Sequence, residues 1–408
     1  MEREFSCFHR GQAVAIIFFI LGVETLLPWN FFITASEYFN GRLNNNNSSR
    51  NATMMEGSKG YNYDCWMSLL SQLPLLLFTL LNSFIYQWVK EHLRMAFSMV
   101  AIFIFFLLTA ALVQVDMQPD TFFSITMTTI WFINMFGAVL QSSLFGVVSQ
   151  FPPRYSTLFM SGQGLAGIFA GIAMLCSIFS TTSAALGYFI TPCLATLVSL
   201  VCYMMLPRLE FAHFYLSRTQ PDKREAAQEL ISSGKFSSTC LLCACQIWVM
   251  ALCVTWIFAV TLAVFPVITV RVQTVYVGSK WADVFTCVCC FIVFYIMDLL
   301  GRGAPSLKQW PSKESSLFPV VVFLRVIFIP MLMMCNIKDS KLPIFFRHDS
   351  AFVVIMALFS FTNGYLACLC MSYAPQASLS NRMTLSWKTF ALTLHLAPVL
   401  TNWHSQTI

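Results

Sequence analysis

The sequence predicts an all-α polytopic membrane protein, and three observations predict this fold class. The 408 residues are 57% hydrophobic and only 10% charged, with 40 Phe and a mean hydropathy of +0.69. Soluble domains carry about 25% charged residues, so the deficit indicates that lipid, not water, surrounds most of the chain. Apolar runs of about 20 residues, the length at which a helix crosses a bilayer, recur along almost the whole sequence.

Ten apolar segments are predicted to form membrane-spanning helices, in two groups. The first run has no small-residue cleavage site before the polar stretch after Glu37, so we interpret it as helix 1 and not as a signal peptide. The most charged stretch separates six spans from four, which predicts an N-terminal six-helix bundle at 1–206, a cytoplasmic loop at 207–237 and a C-terminal bundle at 238–408. The predicted spans are 12–35, 66–88, 95–115, 122–150, 157–180, 184–206, 238–269, 282–301, 316–336 and 350–372.

An eleventh helix is predicted to be absent or aberrant. Near the C-terminus, 389–400 is an uncharged stretch that contains His395 and Pro398. A helix of this length spans roughly 18 Å at 1.5 Å rise per residue, whereas the hydrocarbon core is about 30 Å thick. The C-terminal bundle is therefore expected to hold four regular helices and an incomplete fifth.

Loop charge and glycosylation motifs both predict a cytoplasmic N-terminus. Fifteen Lys and Arg residues fall in segments on the side of the N-terminus and eight on the opposite side, and positively charged loops stay cytoplasmic. The loop after helix 1 contains three sequons, at Asn46, Asn47 and Asn51, which can be glycosylated only outside the cytoplasm. The alternative is that this loop is an unmodified polar spacer.

Four ionisable residues in or directly next to the predicted spans stand out, because a charge there needs a partner or a watery cavity: Glu24, Asp298, Arg302 and Arg325. A charge at mid-bilayer depth costs at least about 2.5–3.5 kcal/mol. Asp298 and Arg302 are four residues apart, which places them on one helical face where they can pair. This face either binds a polar ligand, or the two residues form an ion pair at the helix end with Arg302 reaching the lipid headgroups.

Other polar residues in the spans suggest a translocation path through the bundle. Gln72 and Gln141 are amides in apolar helices, and amides offer both donors and acceptors. In helix 1, Pro28 predicts a bend, Trp29 an apolar wall and Asn30 an amide that satisfies backbone freed by the bend. Bent helices with inward amides are typical of proteins that line a polar cavity.

Several function classes are excluded or disfavoured by the sequence. No Gly-x-x-x-x-Gly-Lys-Ser/Thr motif occurs, so ATP-driven pumping is not predicted. No catalytic constellation is recognisable, and the scattered cysteines lack His or carboxylate partners at metal-binding spacing, so we expect neither an enzyme nor a metal site or cofactor. Proton- or cation-coupled transport through Glu24 and Asp298 stays open as a minority hypothesis.

Seven motifs resemble those of the equilibrative nucleoside transporters, solute carrier family 29. They are "LLPWNFFITA", "LPLLLFTLLNSF", "FGAVLQSSLFG", "SGQGLAGIFAG", "VFPVIT", "MDLLGR" and "FTNGYLACLCM", and they run in family order from about residue 13 to 375. Within this family the chain is most similar to the type 2, nitrobenzylthioinosine-insensitive branch, judged by Ile33 after "PWNFF" and by "LLSQLPLLLF".

The resemblance implies facilitated, ATP-independent and bidirectional transport of nucleosides, with nucleobases as further candidate substrates, by alternating access. It also implies a major-facilitator-like fold of six plus five helices and a multi-pass glycoprotein of the plasma membrane, with substrate and lipid bilayer as partners and no nucleic acid. By this resemblance Trp29 and the phenylalanines pack the base, Gln141 binds its edge, and Asp298 with Arg302 holds the ribose. The residues implied for the central cavity are Leu26, Trp29, Ile33, Gln72, Leu75, Gln141, Phe265, Phe291, Asp298 and Arg302.

Three departures from the family pattern bear on activity. Glu24 stands where relatives carry glycine, Tyr295 replaces the usual asparagine, and the C-terminus is atypical. Two alternatives to a nucleoside carrier therefore remain. One is a truncated or diverged relative that does not transport and associates with an intact transporter, and the other is a proton-coupled carrier.

Overall fold

The computed structural model describes residues 2–36, 38–43, 63–85, 89–179, 184–216, 236–276, 278–312, 315–337 and 343–377, which are mostly helical. Helices α1 to α12 are Glu2–Thr34, Tyr63–Ile85, Glu91–Gln114, Pro119–Val148, Pro153–Phe179, Ala184–Met205, Phe236–Val264, Lys280–Phe285, Val293–Gly303, Leu317–Leu324, Phe328–Met333 and Asp349–Ala377. The π-helical segment Thr286–Ile292 joins α8 to α9, and the 3-10 turn Arg325–Ile327 joins α10 to α11. The three sequons, most of the predicted cytoplasmic loop and the segment 389–400 lie outside the described residues.

Eight of the described helical stretches are long and apolar enough to cross a membrane. One of them, Lys280–Ser306, comprises α8, the π-helical segment and α9. Two predicted spans, 66–88 and 316–336, correspond to the shorter apolar helices Trp66–Thr79 and Leu317–Met333. Each predicted span therefore coincides with apolar helix, and the predicted all-α polytopic class is confirmed.

The surface of this molecule differs from that of a soluble protein. Large apolar side chains such as Leu93, Phe97 and Ile104 on α3 are 55–66% exposed, as expected where the solvent is lipid. By contrast, Glu24 and Asp298 are buried, with exposed fractions of 0% and 4%. The polar chemistry of the chain is thus concentrated inside the helix bundle, where it is shielded from hydrocarbon.

In the N-terminal half, two glycines hold α1 against α5. A Cβ atom on Gly22 would lie 2.1 Å from the Phe159 carbonyl oxygen, and one on Gly162 would lie 2.0 Å from the Phe19 carbonyl oxygen. Any side chain at either position would collide with backbone, which cannot give way. Small residues at such helix crossings are the usual means of close packing in membranes, where no hydrophobic effect draws helices together.

In the C-terminal half, Gly301 and Gly364 form the corresponding close contact between α9 and α12. A Cβ atom on Gly301 would lie 2.3 Å from the Phe361 carbonyl oxygen, and one on Gly364 would lie 2.1 Å from the Asp298 carbonyl oxygen. This crossing places the α9 turn that carries Asp298 directly on the α12 turn that carries Asn363. The two side chains are thereby brought within hydrogen-bonding distance.

The two halves meet where α5 faces α9. Gly167 permits this close approach, since a Cβ atom there would lie 2.0 Å from the Tyr295 ring. Two helical turns away, Arg302 Nη1 donates to the Met160 carbonyl oxygen at 3.5 Å. These contacts set the distance between the halves next to the cavity described below.

The bend residues of α1 behave partly as predicted. Pro28 lies inside the helix, and the Asn30 side chain does turn back to the backbone, donating to the Leu26 carbonyl oxygen at 2.9 Å. A proline removes the donor for the carbonyl four residues earlier, which here is that of Glu24. The prediction that Asn30 bonds to the carbonyl freed by the proline was therefore wrong. Its short side chain reaches the Leu26 carbonyl, not that of Glu24.

Candidate functional site

A cavity of about 170 Å³ lies between the two halves of the bundle. On one side it is lined by residues of α1, α2, α4 and α5, and on the other by residues of α7, α9 and α12, with Phe265 directly after α7. Each α-helix that carries a predicted site residue therefore reaches this one space. Its walls combine aromatic and aliphatic side chains with a few polar groups, which is the usual composition of a small-molecule site.

Eight of the ten residues implied for the site line this cavity: Leu26, Trp29, Gln72, Leu75, Gln141, Phe265, Asp298 and Arg302. The other two, Ile33 and Phe291, are 2% exposed and do not line it. Ile33 lies more than one helical turn beyond Trp29 and packs into the hydrophobic core. Phe291 lies behind the wall, where its ring contacts Phe265 edge-on at 5.8 Å between centroids.

The charged wall of the cavity is a bonded cluster on α9 and α12. Arg302 Nε donates to Asp298 Oδ2 at 2.7 Å, and Asn363 Nδ2 donates to Asp298 Oδ1 at 2.8 Å. Arg302 is 5% exposed and faces the cavity, so the alternative of a helix-end pair reaching the lipid headgroups is wrong. The close α9–α12 crossing keeps both groups in the interior, and each carboxylate oxygen still has a lone pair for a ligand hydroxyl.

The opposite wall carries two amide side chains, one on α2 and one on α4. Gln72 on α2 and Gln141 on α4 line the cavity, and neither has a hydrogen-bond partner in the described part of the chain. Burying a polar group without a partner costs free energy unless water or a ligand provides one. Both amides are therefore available to a bound molecule, each with two donors and one acceptor oxygen.

Aromatic rings form the flat surfaces of the cavity. Trp29 lines it from α1, and Phe265 lines it from the segment after α7. Phe265 stacks on Phe294 of α9 with 3.9 Å between centroids and an interplanar angle of 7°, and Tyr295 packs edge-on against it at 6.0 Å. A planar ligand can lie against such preformed faces with little loss of side-chain entropy.

Comparison with known proteins gives the family. The sequence profile described as Nucleoside transporter matches residues 127–397, about two thirds of the chain. Equilibrative nucleoside transporter 2 from Homo sapiens is 45% identical over an alignment that covers 94% of this chain and 94% of that protein. Equilibrative nucleoside transporter 1 from Homo sapiens is 41% identical, with 90% of each chain covered. The chain belongs to the nucleoside transporter family.

Solved structures support the fold of this nucleoside transporter family member. A POT family transporter aligns with a TM-score of 0.62 at 11% identity, covering 98% of this chain and 90% of that one. The proton:xylose symporter XylE, a major facilitator superfamily protein, aligns with a TM-score of 0.61 at 10% identity, covering 98% and 88%. These similarities confirm the predicted major-facilitator-like fold, while the six-plus-five helix count stays a prediction.

Some polar lining residues of this nucleoside transporter were not predicted from the sequence. Thr261 on α7, Gln163 on α5 and Asn134 on α4 all line the cavity. Gln163 Nε2 donates to Thr25 Oγ1 at 3.0 Å, and Thr261 Oγ1 bonds to Asn363 Oδ1 at 2.7 Å. A threonine in an apolar helix most often bonds to its own backbone, so only the contact with a helix 102 positions away reveals its place here.

Glu24, the acidic departure from the family pattern, does not line the cavity. It is fully buried, and its carboxyl lies near the hydroxyls of Thr196 and Ser199 on α6. The Thr196 hydroxyl is engaged by the Pro192 carbonyl at 2.8 Å. Glu24 is thus a contact between α1 and α6, and Asp298 is the carboxylate that faces the cavity.

Proposed function

We propose that this chain carries nucleosides across the membrane by facilitated diffusion, with the cavity exposed alternately to each side. One observation carries the proposal. At the junction of the two helix bundles, the cavity has two amides without a partner in the described part of the chain on one side and the Asp298–Arg302 ion pair on the other, with aromatic side chains between them. Membership of the nucleoside transporter family and the names of its equilibrative relatives support the same function. A nucleoside needs this combination because one part is a flat heterocycle and the other a polyol.

The ligand is assigned to the cavity walls by their chemistry. Trp29 and Phe265 provide apolar faces for the base, and base–aromatic stacking contributes about 1–3 kcal/mol. Gln141 and Gln72 face the base edges, where an amide can donate and accept at once. Asp298 and Arg302 hold the ribose hydroxyls, the carboxylate as acceptor and the guanidinium as donor.

Charge balance in the cavity favours a neutral substrate without a coupling ion. Asp298 and Arg302 pair at 2.7 Å, so the site carries no net charge from its two ionised groups. A nucleoside adds none, whereas a nucleotide would bring about two negative charges with one guanidinium to receive them. Nucleobases fit the aromatic and amide part of the site and are proposed as weaker substrates, since they make no use of the Asp298–Arg302 wall.

The plasma membrane is the proposed location, with the N-terminus in the cytoplasm. The distribution of Lys and Arg between the loops supports this orientation, because segments on the side of the N-terminus carry the larger share. Glycosylation at Asn46, Asn47 or Asn51 would follow from the same orientation, and a mobility shift on glycosidase treatment tests it.

Flux into vesicles that contain the purified chain tests the function. We expect saturable uptake of uridine and slower uptake of hypoxanthine, both unaffected by an imposed pH gradient, with protein-free vesicles as the baseline and uridine monophosphate as the excluded ligand. Uptake that follows the pH gradient would establish the proton-coupled carrier instead. Uridine flux equal to that of protein-free vesicles would leave the non-transporting relative as the correct hypothesis.

A further inference from the structure

Arg325 is a buried cation that does not line the cavity. It lies in the 3-10 turn between α10 and α11 and is 2% exposed. An uncompensated charge at this depth is costly, so its position calls for a physical reason. Within the described residues, no carboxylate lies within ion-pair distance of it.

The guanidinium is held by oxygen atoms on two neighbouring helices. On α7, Nη1 donates to the Ile257 carbonyl oxygen at 2.8 Å and Nη2 donates to Thr261 Oγ1 at 3.1 Å. On α12, Nη2 also donates to the Phe359 carbonyl oxygen at 3.2 Å, and Nε donates to Thr362 Oγ1 at 3.3 Å. Arg325 therefore joins α7 to α12 by its planar set of donors.

From Arg325 a chain of hydrogen bonds runs to the cavity. Thr261 Oγ1 lies 2.7 Å from Asn363 Oδ1, and Asn363 Nδ2 donates to Asp298 Oδ1 at 2.8 Å. The chain passes from the buried guanidinium through a hydroxyl and an amide to the carboxylate that also binds Arg302. Three of its members, Thr261, Asn363 and Asp298, line the cavity, and Arg325 does not.

Both ends of this chain fix its direction. Arginine can only donate, so the Thr261 hydroxyl oxygen must accept from Arg325, which leaves its single proton to be donated elsewhere. That proton can go to the Ile257 carbonyl at 2.8 Å or to Asn363 Oδ1 at 2.7 Å. Because the Asp298 carboxylate can only accept, Asn363 must turn its Nδ2 towards it, so Asn363 Oδ1 faces Thr261 and accepts the hydroxyl proton.

We propose that Arg325 is a positioning residue for substrate binding, which acts through Thr261 and Asn363 to hold the Asp298 carboxylate in place for the sugar of a nucleoside. The proposal rests on the proposed function and extends it to a residue outside the cavity. Without Arg325, the Thr261 proton returns to the Ile257 carbonyl, Asn363 Oδ1 loses its donor, and the amide is free to turn away from Asp298.

Two threonines provide a matched test, because each accepts one hydrogen bond from Arg325. Thr261→Val interrupts the chain to Asn363, whereas Thr362→Val removes an equivalent hydroxyl whose own proton goes only to the Phe359 carbonyl at 2.9 Å. Uptake of uridine and of 2′,3′-dideoxyuridine is measured for both variants and for the parent chain in vesicles. Dideoxyuridine lacks the ribose hydroxyls that the Asp298 carboxylate is proposed to bind.

We expect Thr261→Val to raise the Michaelis constant for uridine about tenfold, the usual effect of losing a hydrogen bond to a charged group, and that for dideoxyuridine less than about threefold. Thr362→Val should leave both constants unchanged. Equal losses for the two ligands in Thr261→Val would overturn the proposal, since a merely structural role does not distinguish them.

Conservative variants separate positioning from folding. Thr261→Ser keeps the hydroxyl and should retain the parent constants, and Arg325→Lys should show a partial, uridine-selective loss because one ammonium cannot replace all four bonds. Size-exclusion profiles establish that each variant folds, and uridine binding to the detergent-purified protein provides a measure that does not need flux.

The outcomes distinguish the two proposals. A parent chain that neither binds nor transports uridine overturns the proposed function and this inference together. If the parent chain transports uridine, and Thr261→Val and Thr362→Val have the same Michaelis constant for uridine, the inference alone is overturned.

Discussion

The two halves of the bundle build the same cavity with opposite chemistry. The N-terminal wall presents Gln72 and Gln141, amides without a partner in the described protein. The C-terminal wall presents Asp298 and Asn363 inside a closed network of hydrogen bonds. One wall is thus completed only by a ligand, while the other is already complete and offers fixed acceptors. Substitutions in the first should change binding alone, and those in the second should change binding and folding together.

The helix packing beneath the two walls is alike. Gly22 and Gly162 bring α1 onto α5, and Gly301 and Gly364 bring α9 onto α12, in each case with backbone atoms where a Cβ would be. The difference between the halves therefore lies in the side chains placed on a common scaffold, as expected where function is carried by sites and not by fold.

The largest expected effect comes from removing the carboxylate of the Asp298–Arg302 ion pair. Asp298→Ala leaves Arg302 buried without its carboxylate, a loss of about 3–5 kcal/mol, so we expect uridine uptake to fall by about 100-fold or more with poor recovery of folded protein. The double variant Asp298→Ala with Arg302→Met removes both charges and should restore folding but not uptake. Normal uptake by Asp298→Ala would contradict the assignment of this wall.

The next effect tests whether the halves share one kind of packing. Gly22→Ala and Gly364→Ala should each lower the free energy of unfolding by about 1–3 kcal/mol or more, because the added methyl group meets a carbonyl oxygen at 2.1 Å in both cases. Gly137→Ala is the matched control, since nothing lies within 4 Å of a Cβ there. Thermal unfolding in detergent measures all three, and equal stability of Gly22→Ala and Gly137→Ala would refute the close-contact explanation.

A smaller effect is expected from a substitution in the N-terminal wall. Gln141→Leu should raise the Michaelis constant for uridine about tenfold and change stability by less than about 0.5 kcal/mol, because no described residue loses a hydrogen-bond partner. Asn363→Leu, the corresponding substitution in the C-terminal wall, should reduce both uridine affinity and stability. The contrast between the halves fails if Gln141→Leu proves as destabilising as Asn363→Leu.

The smallest effect concerns a phenol between the halves. The Tyr295 hydroxyl is buried without a hydrogen-bond partner in the described structure, so Tyr295→Phe should raise stability by up to about 1 kcal/mol. Tyr188→Phe is the control, because its hydroxyl donates to the Phe31 carbonyl at 2.8 Å and its loss should cost about 1 kcal/mol. A loss of stability in Tyr295→Phe would point to a partner for this hydroxyl.

Sequence alone predicts the spans and the charged pair, because both depend on local patterns. Hydropathy over about 20 residues locates membrane helices, and a spacing of four residues places Asp298 and Arg302 on one face. Ile33 illustrates the limit, since it lies on a helix that reaches the cavity but packs into the core. Thr261 illustrates another, because its contact with Asn363 joins helices 102 positions apart, and that proximity exists only in the folded bundle.

The measurement that tests the central claim most directly is uridine counterflow in vesicles containing the purified chain. With unlabelled uridine inside and labelled uridine outside at equal pH, a facilitated carrier with one alternating site should accumulate label transiently above the outside level. The same accumulation should be absent in Asp298→Ala with Arg302→Met. Label that never exceeds the outside level in the parent chain, or that does so only under a pH gradient, would contradict the account.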